Sequence, residues 1–104
     1  MNESEKKIMG LISSAGESRA KAFQALQKVK SSDYESARQL IKESKEVDVE
    51  AHNIQTQLIQ QELSGQSDQE SINLLMVHAQ DHYMTAQLAR DLIEELIIIF
   101  ENKE

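Results

Sequence analysis

The chain has 104 residues, with 11 Lys+Arg, 18 Asp+Glu, three His, three Gly and no Pro, Cys or Trp, enough for one domain spanning residues 1–104. The lack of Cys excludes disulfides, thiolate metal sites and a cysteine nucleophile, and the few glycines leave little for a phosphate-cradling loop. A net charge of −7 argues against nucleic acid or an anionic membrane as the main partner. The longest apolar run is far short of the roughly 20 residues that span a bilayer. Met1–Lys7 also lacks the basic-then-apolar order of a signal peptide. The expectation is a cytoplasmic protein without direct membrane insertion.

Three long segments carry helical periodicity, each behind a capping signal: Asn2 with Glu5, Ser32 with Glu35, and Ser67 with Glu70. Chain ends fray, so the second and third carry more of the argument. The first helix is expected from about Glu3 to Val29, with Ile8, Leu11, Ile12, Ala15, Ala22, Phe23, Leu26 and Val29 as its apolar stripe. The second, about Asp33 to Leu63, places Ala37, Leu40, Ile41, Val47, Ala51, Ile54 and Leu58 on one face, with Gly65 as its stop. The third runs from about Asp68 to Asn102. Connections at Lys30–Ser32 and Ser64–Gln66 are short, so consecutive helices pack antiparallel. The fold class is all-α, an up-down-up three-helix bundle. Charge is uneven along it: residues 1–30 carry +3, 31–66 carry −4 and 67–104 carry −6.

The third helix has more apolar surface than one core requires. One stripe comprises Ile72, Leu75 or Met76, Ala79, Tyr83, Ala86, Ala89, Ile93, Leu96 or Ile97, and Phe100. A second, rotated from it, comprises Leu74, Val77, Asp81, Met84, Leu88, Leu92, Glu95 and Ile99. A second apolar face on a bundle helix calls for a further partner, and self-association is expected.

Ionisable groups interrupt this helix at His78, Asp81 and His82. His78 and His82 are spaced i, i+4 and share a face. Two such histidines can grip zinc, but Ala79 stands where the zinc-protease helix has Glu, and only the distant His52 offers a third imidazole. A structural reading gives both rings ordinary hydrogen-bond partners. A chemical reading uses a neutral imidazole as a nucleophile that carries a phosphoryl group, with a neighbouring donor for its oxygens.

The string Val77-His78-Ala79-Gln80-Asp81-His82-Tyr83-Met84-Thr85-Ala86, followed by Arg90-Asp91-Leu92, resembles the signature of the lactose/cellobiose-specific IIA components of the bacterial phosphoenolpyruvate-dependent sugar phosphotransferase system. Ile12-Ser13-Ser14-Ala15-Gly16-Glu17-Ser18-Arg19 is similar to that family's first helix, and Tyr83 stands where many relatives have Leu. The resemblance implies a homotrimer and a phosphoryl carrier, His78, charged by the phosphohistidine of HPr. It implies onward transfer to a cysteine of a IIB component, and thence to a β-disaccharide (cellobiose, chitobiose or lactose class) entering through the membrane-bound IIC component. It also implies that three copies of Asp81 share one divalent cation, Mg²⁺, at the trimer axis.

The residues themselves support parts of this scheme. Asp81 interrupts the second stripe between Val77 and Met84, so a symmetric interface brings its copies together. Carboxylates so placed need protons or a cation, and oxygen-only ligation suits Mg²⁺ or Ca²⁺ over zinc. His82 is assigned as a donor to the phosphoryl oxygens or an orienter of His78. Gln80, about 200° around the helix from His78, reaches the phosphoryl group only from a neighbouring subunit. The small run Ser13–Gly16 forms either a pocket wall or a close helix contact. The rival reading is a non-catalytic helical oligomerisation or adaptor module with structural or metal-binding histidines.

Overall fold

In a computed structural model, which describes residues 1–65 and 74–104, the chain forms three helices: α1 (Glu3–Lys30), α2 (Tyr34–Ser64) and α3 (Leu74–Lys103). Among the described residues there is no strand. The expected start of α3 near Asp68, its Ser67/Glu70 cap and Ile72 lie outside the described residues.

The helix ends follow from local chemistry, with one correction. The Asn2/Glu5 capping box is complete at the first helix: the Glu5 amide donates to Asn2 Oδ1 at 2.8 Å, and the Asn2 amide donates to Glu5 Oε1 at 3.1 Å. At α2 the cap is Asp33, not Ser32: Asp33 Oδ1 accepts from the Ser36 amide at 3.2 Å. Ser32 adopts φ 60°, outside the extended backbone an N-cap uses, and its hydroxyl donates instead to Glu104 Oε1 at 2.7 Å. Gly65 ends α2 as expected, in the left-handed region at φ 72°, which costs glycine least.

Cross-helix pairs fix the topology. Along α2, Arg38, Lys45, Asp48, His52 and Gln55 meet Glu101, Glu94, Arg90, Tyr83 and Gln80 of α3 in reverse order, so these helices are antiparallel. Ser18 and Lys21 of α1 meet Ser44 and Glu43 of α2, also in reverse. The expected up-down-up bundle results, measuring 54 × 20 × 19 Å.

Its core has two parts. One joins Ile8, Leu11 and Ala15 of α1 to Ala51 and Leu58 of α2 and to Ala79, Tyr83 and Ala86 of α3. The other joins Ala22, Ala25 and Val29 to Ala37 and Ile41, and to Ile93 and Ile97. Full burial of a side chain such as Leu11 contributes about 2 kcal/mol. Between the two parts lies a polar clasp. Ser18 Oγ donates to Ser44 O at 3.0 Å, Ser44 Oγ donates to Ser18 O at 2.8 Å, and the hydroxyl oxygens are 2.9 Å apart. Both serines are buried.

Two aromatic expectations fail. Phe23 is 41% exposed, because the buried line of α1 runs through Ala22 and Ala25, and the residue after Ala22 points about 100° away. Phe100 is 46% exposed, one turn past Ile97, the last α3 residue in the second core part. The second stripe of α3 is as expected: Leu74, Val77, Met84, Leu88, Leu92 and Ile99 are all exposed, from 46% to 83%, with Asp81 and Glu95 on the same face. None of the described residues covers this face.

Candidate functional site

The helical phase that buries Ala79, Tyr83 and Ala86 turns the intervening residues outward. His78 is exposed and His82 half-buried, one turn apart. Their Nε2 atoms lie 3.1 Å from one another, with ring centroids 4.5 Å apart and planes at 76°. At that distance one Nε2 can donate to the other, and the ring tautomers set which. The nitrogen that accepts holds its lone pair towards an N–H donor. This is the local geometry an imidazole nucleophile with an adjacent oxygen-binding donor requires.

Alongside His82 opens a cavity of about 430 Å³ lined by Arg19 and Phe23 of α1 and by Asp81, His82, Thr85 and Ala89 of α3. A second depression beside it is lined by Gly16, Arg19, Ala20, Phe23 and His82. The Arg19 guanidinium carbon sits 5.4 Å from the centre of the Phe23 ring, a cation–π contact. A Cβ built at Gly16 meets no atom within 4 Å, so this glycine belongs to a pocket wall and not to a close helix contact. Arg19 and Phe23 are the residues that sequence reasoning missed at the site. Their i, i+4 spacing on α1 was the available signal.

Asp81 is exposed on the second stripe and borders the same cavity. Gln80 is not brought to the histidine pair. It turns towards α2, where its Oε1 accepts from Gln55 Nε2 at 2.8 Å. His52 is also remote from the pair, with Nδ1 3.1 Å from the Tyr83 hydroxyl. Among the described residues no group of three His, Cys, Asp or Glu within one chain could hold a metal ion.

Tyr83 begins a polar chain between α2 and α3. Its hydroxyl accepts from Gln87 Nε2 at 2.9 Å, Gln87 reaches Asp48 at 3.5 Å, and Asp48 pairs with Arg90 at 3.1 Å. Burial pushes the Tyr83 phenol above its usual range, helped by the Asp48 charge. Burial works against the Arg90 charge, but bonds to Asp48 and Asp91 outweigh it and raise the guanidinium pKa. Arg90, part of the signature string, therefore serves to lock α3 against α2.

A family model, "PTS system, Lactose/Cellobiose specific IIA subunit", matches residues 6–101. The N,N'-diacetylchitobiose-specific EIIA component of Escherichia coli K12 is 41% identical over 99 residues, which are 95% of this chain and 84% of that protein. The cellobiose-specific enzyme IIA from Bacillus anthracis superposes with a TM-score of 0.89 at 35% identity, over 98% of this chain and 92% of that one. The chitobiose IIA of Escherichia coli, solved in complex with HPr, superposes with a TM-score of 0.79 at 38% identity, over 98% and 97% of the two chains. With the helical layout, the histidine pair and the signature string all in agreement, the chain belongs to the lactose/cellobiose-specific IIA subunits of the phosphotransferase system.

Proposed function

We propose that this protein is a cytoplasmic phosphoryl carrier for uptake of a β-disaccharide, and that His78 is the residue that carries the group. The observation that carries the reading is the His78–His82 pair, with Nε2 atoms 3.1 Å apart on an exposed helix face. Membership of the IIA family and the existence of a relative in complex with HPr support HPr as the donor. Among the described residues no helix is long and apolar enough to cross a membrane.

In the reaction, the lone pair of His78 Nε2 attacks the phosphorus of phospho-HPr. The new N–P bond forms as the old one breaks, and the bonding pair of the old bond stays on the donor's ring nitrogen. A donor ring that begins protonated leaves as neutral imidazole, while the His78 ring, neutral at first, takes the positive charge. Protons and charge therefore balance without a general base. The His82 N–H, freed from the His78 lone pair, turns to a phosphoryl oxygen. In transfer to a IIB component, the thiolate of its cysteine attacks the phosphorus, the S–P bond forms as the His78 N–P bond breaks, and the bonding pair returns to His78 Nε2, leaving the ring neutral. Such chemistry depends on alignment and charge stabilisation, which two rings on adjacent turns of a rigid helix supply.

The apolar face of α3, which none of the described residues covers, supports assembly as a homotrimer with these faces inward. In that assembly each chain brings two exposed carboxylates, Asp81 and Glu95, to the closing face, and Asp81 is the one set between Val77 and Met84. Three oxygen-donor groups around an axis fit a hard divalent cation such as Mg²⁺, and the Asp81 copies would hold it. Bound there, the ion would neutralise carboxylates that otherwise repel. Gln80, engaged with Gln55 in its own chain, would have to exchange that bond to serve a neighbour's phosphoryl group.

The test is incubation with phosphoenolpyruvate, enzyme I and HPr, followed by intact-mass measurement. The expected result is the gain of one acid-labile phosphoryl group, lost in His78→Ala. No gain with demonstrably active partners refutes the carrier reading and favours the adaptor module. For the assembly, Asp81→Leu should keep or tighten the trimer while removing any metal dependence, read by sedimentation with and without chelator. A fall to monomer counts against an axial acid.

A further inference from the structure

Of the three arginines, Arg38 and Arg90 are each paired with a carboxylate, to Glu101 and to Asp48. Arg19 has no ion pair among the described residues. Its guanidinium lies against the Phe23 ring, and it lines both depressions that open beside His82. A cation left without a carboxylate in a chain of net charge −7 is available to an incoming anion. The ring contact restrains the fork at little entropic cost. Gly16, three residues earlier on the same helix face, adds no side chain to the space before it.

The arrangement gives the histidine pair two flanks. On one side His82 Nε2 touches His78 Nε2; on the other, His82 and Arg19 share a cavity whose remaining polar walls are Asp81 and Thr85. A phosphoryl group on His78 brings close to two negative charges next to the Asp81 carboxylate. That repulsion calls for an opposing cation, and Arg19 of α1 stands in the cavity that Asp81 and His82 line, within the reach of its long side chain from the His78 side of the pair.

We propose that Arg19 is a second phosphoryl-binding residue, donating its N–H fork to the oxygens of the group carried by His78. The proposal rests on the phosphocarrier reading. In the transfer the His78 N–P bond forms as the donor's N–P bond breaks. His82 and Arg19 both keep their protons and act only as donors to the three phosphoryl oxygens. Phe23 is the positioning residue that holds the fork.

The experiment compares wild type, Arg19→Gln, Arg19→Lys and Phe23→Leu, with helicity and melting temperature measured on each. Two readouts are free of any docking partner: the ³¹P shift of the phosphoprotein titrated against pH, and the hydrolysis rate of its N–P bond. A third is the kcat and KM for transfer from phospho-HPr. Arg19→Gln is expected to raise the pH at which the phosphoryl group takes its last proton, and to lower kcat by about 10²-fold, the usual cost of one lost oxyanion donor, with KM little changed. Arg19→Lys should recover part of both effects, and Phe23→Leu should fall between wild type and Arg19→Gln. If the ³¹P titration of Arg19→Gln matches wild type, the proposal is overturned. If the loss lies in KM alone, Arg19 is a docking residue and the proposal is equally overturned. Failure of the wild type itself to accept phosphate, or labelling of His78→Ala, would overturn the carrier reading instead.

Discussion

The buried serine clasp between α1 and α2 offers a sharp test of how the bundle is held in register. Ser18 and Ser44 make three contacts of 2.8–3.0 Å, but two hydroxyls have only two protons to give. If each proton goes to the opposite backbone carbonyl, the hydroxyl–hydroxyl contact contributes little. Ser44→Ala then removes one donated bond and leaves Ser18 still bonded to Ser44 O, with no buried donor stranded. The expected loss is about 1 kcal/mol, and the same holds for Ser18→Ala. The double variant should lose about the sum of the two, with a coupling energy within about 0.5 kcal/mol. Ser44→Val should be worse than either, because added bulk is forced against α1 at a site with no room, costing about 1–3 kcal/mol. Urea unfolding followed by helicity gives these values, at one fixed protein concentration because association adds to apparent stability. A coupling energy as large as either single loss would refute the reasoning, since it would place the bond between the two hydroxyls.

Other consequences are accessible to similar measurements. Gly65→Ala places a Cβ at φ 72° and should cost about 1 kcal/mol; an unchanged melting temperature would contradict the left-handed cap. Bonds from Ser36 hold the Asp33 carboxyl below its usual range, and a bond from Lys21 does the same for Glu43. A carboxyl lowered on folding stabilises above its unfolded pKa and loses that contribution as pH falls through the folded value. Melting temperature should therefore decline in acid below about pH 4, and less steeply in Glu43→Gln; a rise in acid would contradict both contacts. Leu88→Lys and Leu92→Lys put charge on the uncovered face of α3 and should yield monomer by sedimentation with helicity intact. Tyr83→Phe deletes the hydroxyl between His52 and Gln87. It should cost under about 1 kcal/mol without slowing phosphoryl transfer, and a large transfer defect would tie this polar chain to the site.

The residues that were legible beforehand are those whose surroundings are set by helical phase. Ile8, Leu11 and Ala15 on α1 and Ala79, Tyr83 and Ile93 on α3 follow a 3.6-residue period into the core, and Leu88 and Leu92 follow another out of it. The closeness of His78 and His82 is fixed by i, i+4 spacing and needs no tertiary contact. What stayed hidden depended on choices between neighbours or between helices. Ser32 and Asp33 are adjacent and both able to cap, and the turn conformation decides between them. Ser18 and Ser44 read as ordinary polar helix residues because nothing local says that each will face the other's carbonyl. Phe23 reads as core by composition, yet Ala22 takes the buried position beside it. Arg19 enters only as the end of the first-helix string, because nothing within α1 says that α3 sets His82 against the same cavity.

The described site is built from residues inside α1 and α3, with His78 one turn from the start of α3 and far from the turn at 31–33. Among the described residues nothing covers His78, which is exposed. Under the carrier reading proposed above, speed would be limited by encounter: each visit would have to bring its own wall against water, the carrier supplying half a chamber and the visiting protein the other half. Between visits the cargo stands exposed on the flank of a rod. On that reading the lifetime of the loaded state would be a clock set by solvent, and partners would have to be abundant enough to beat it.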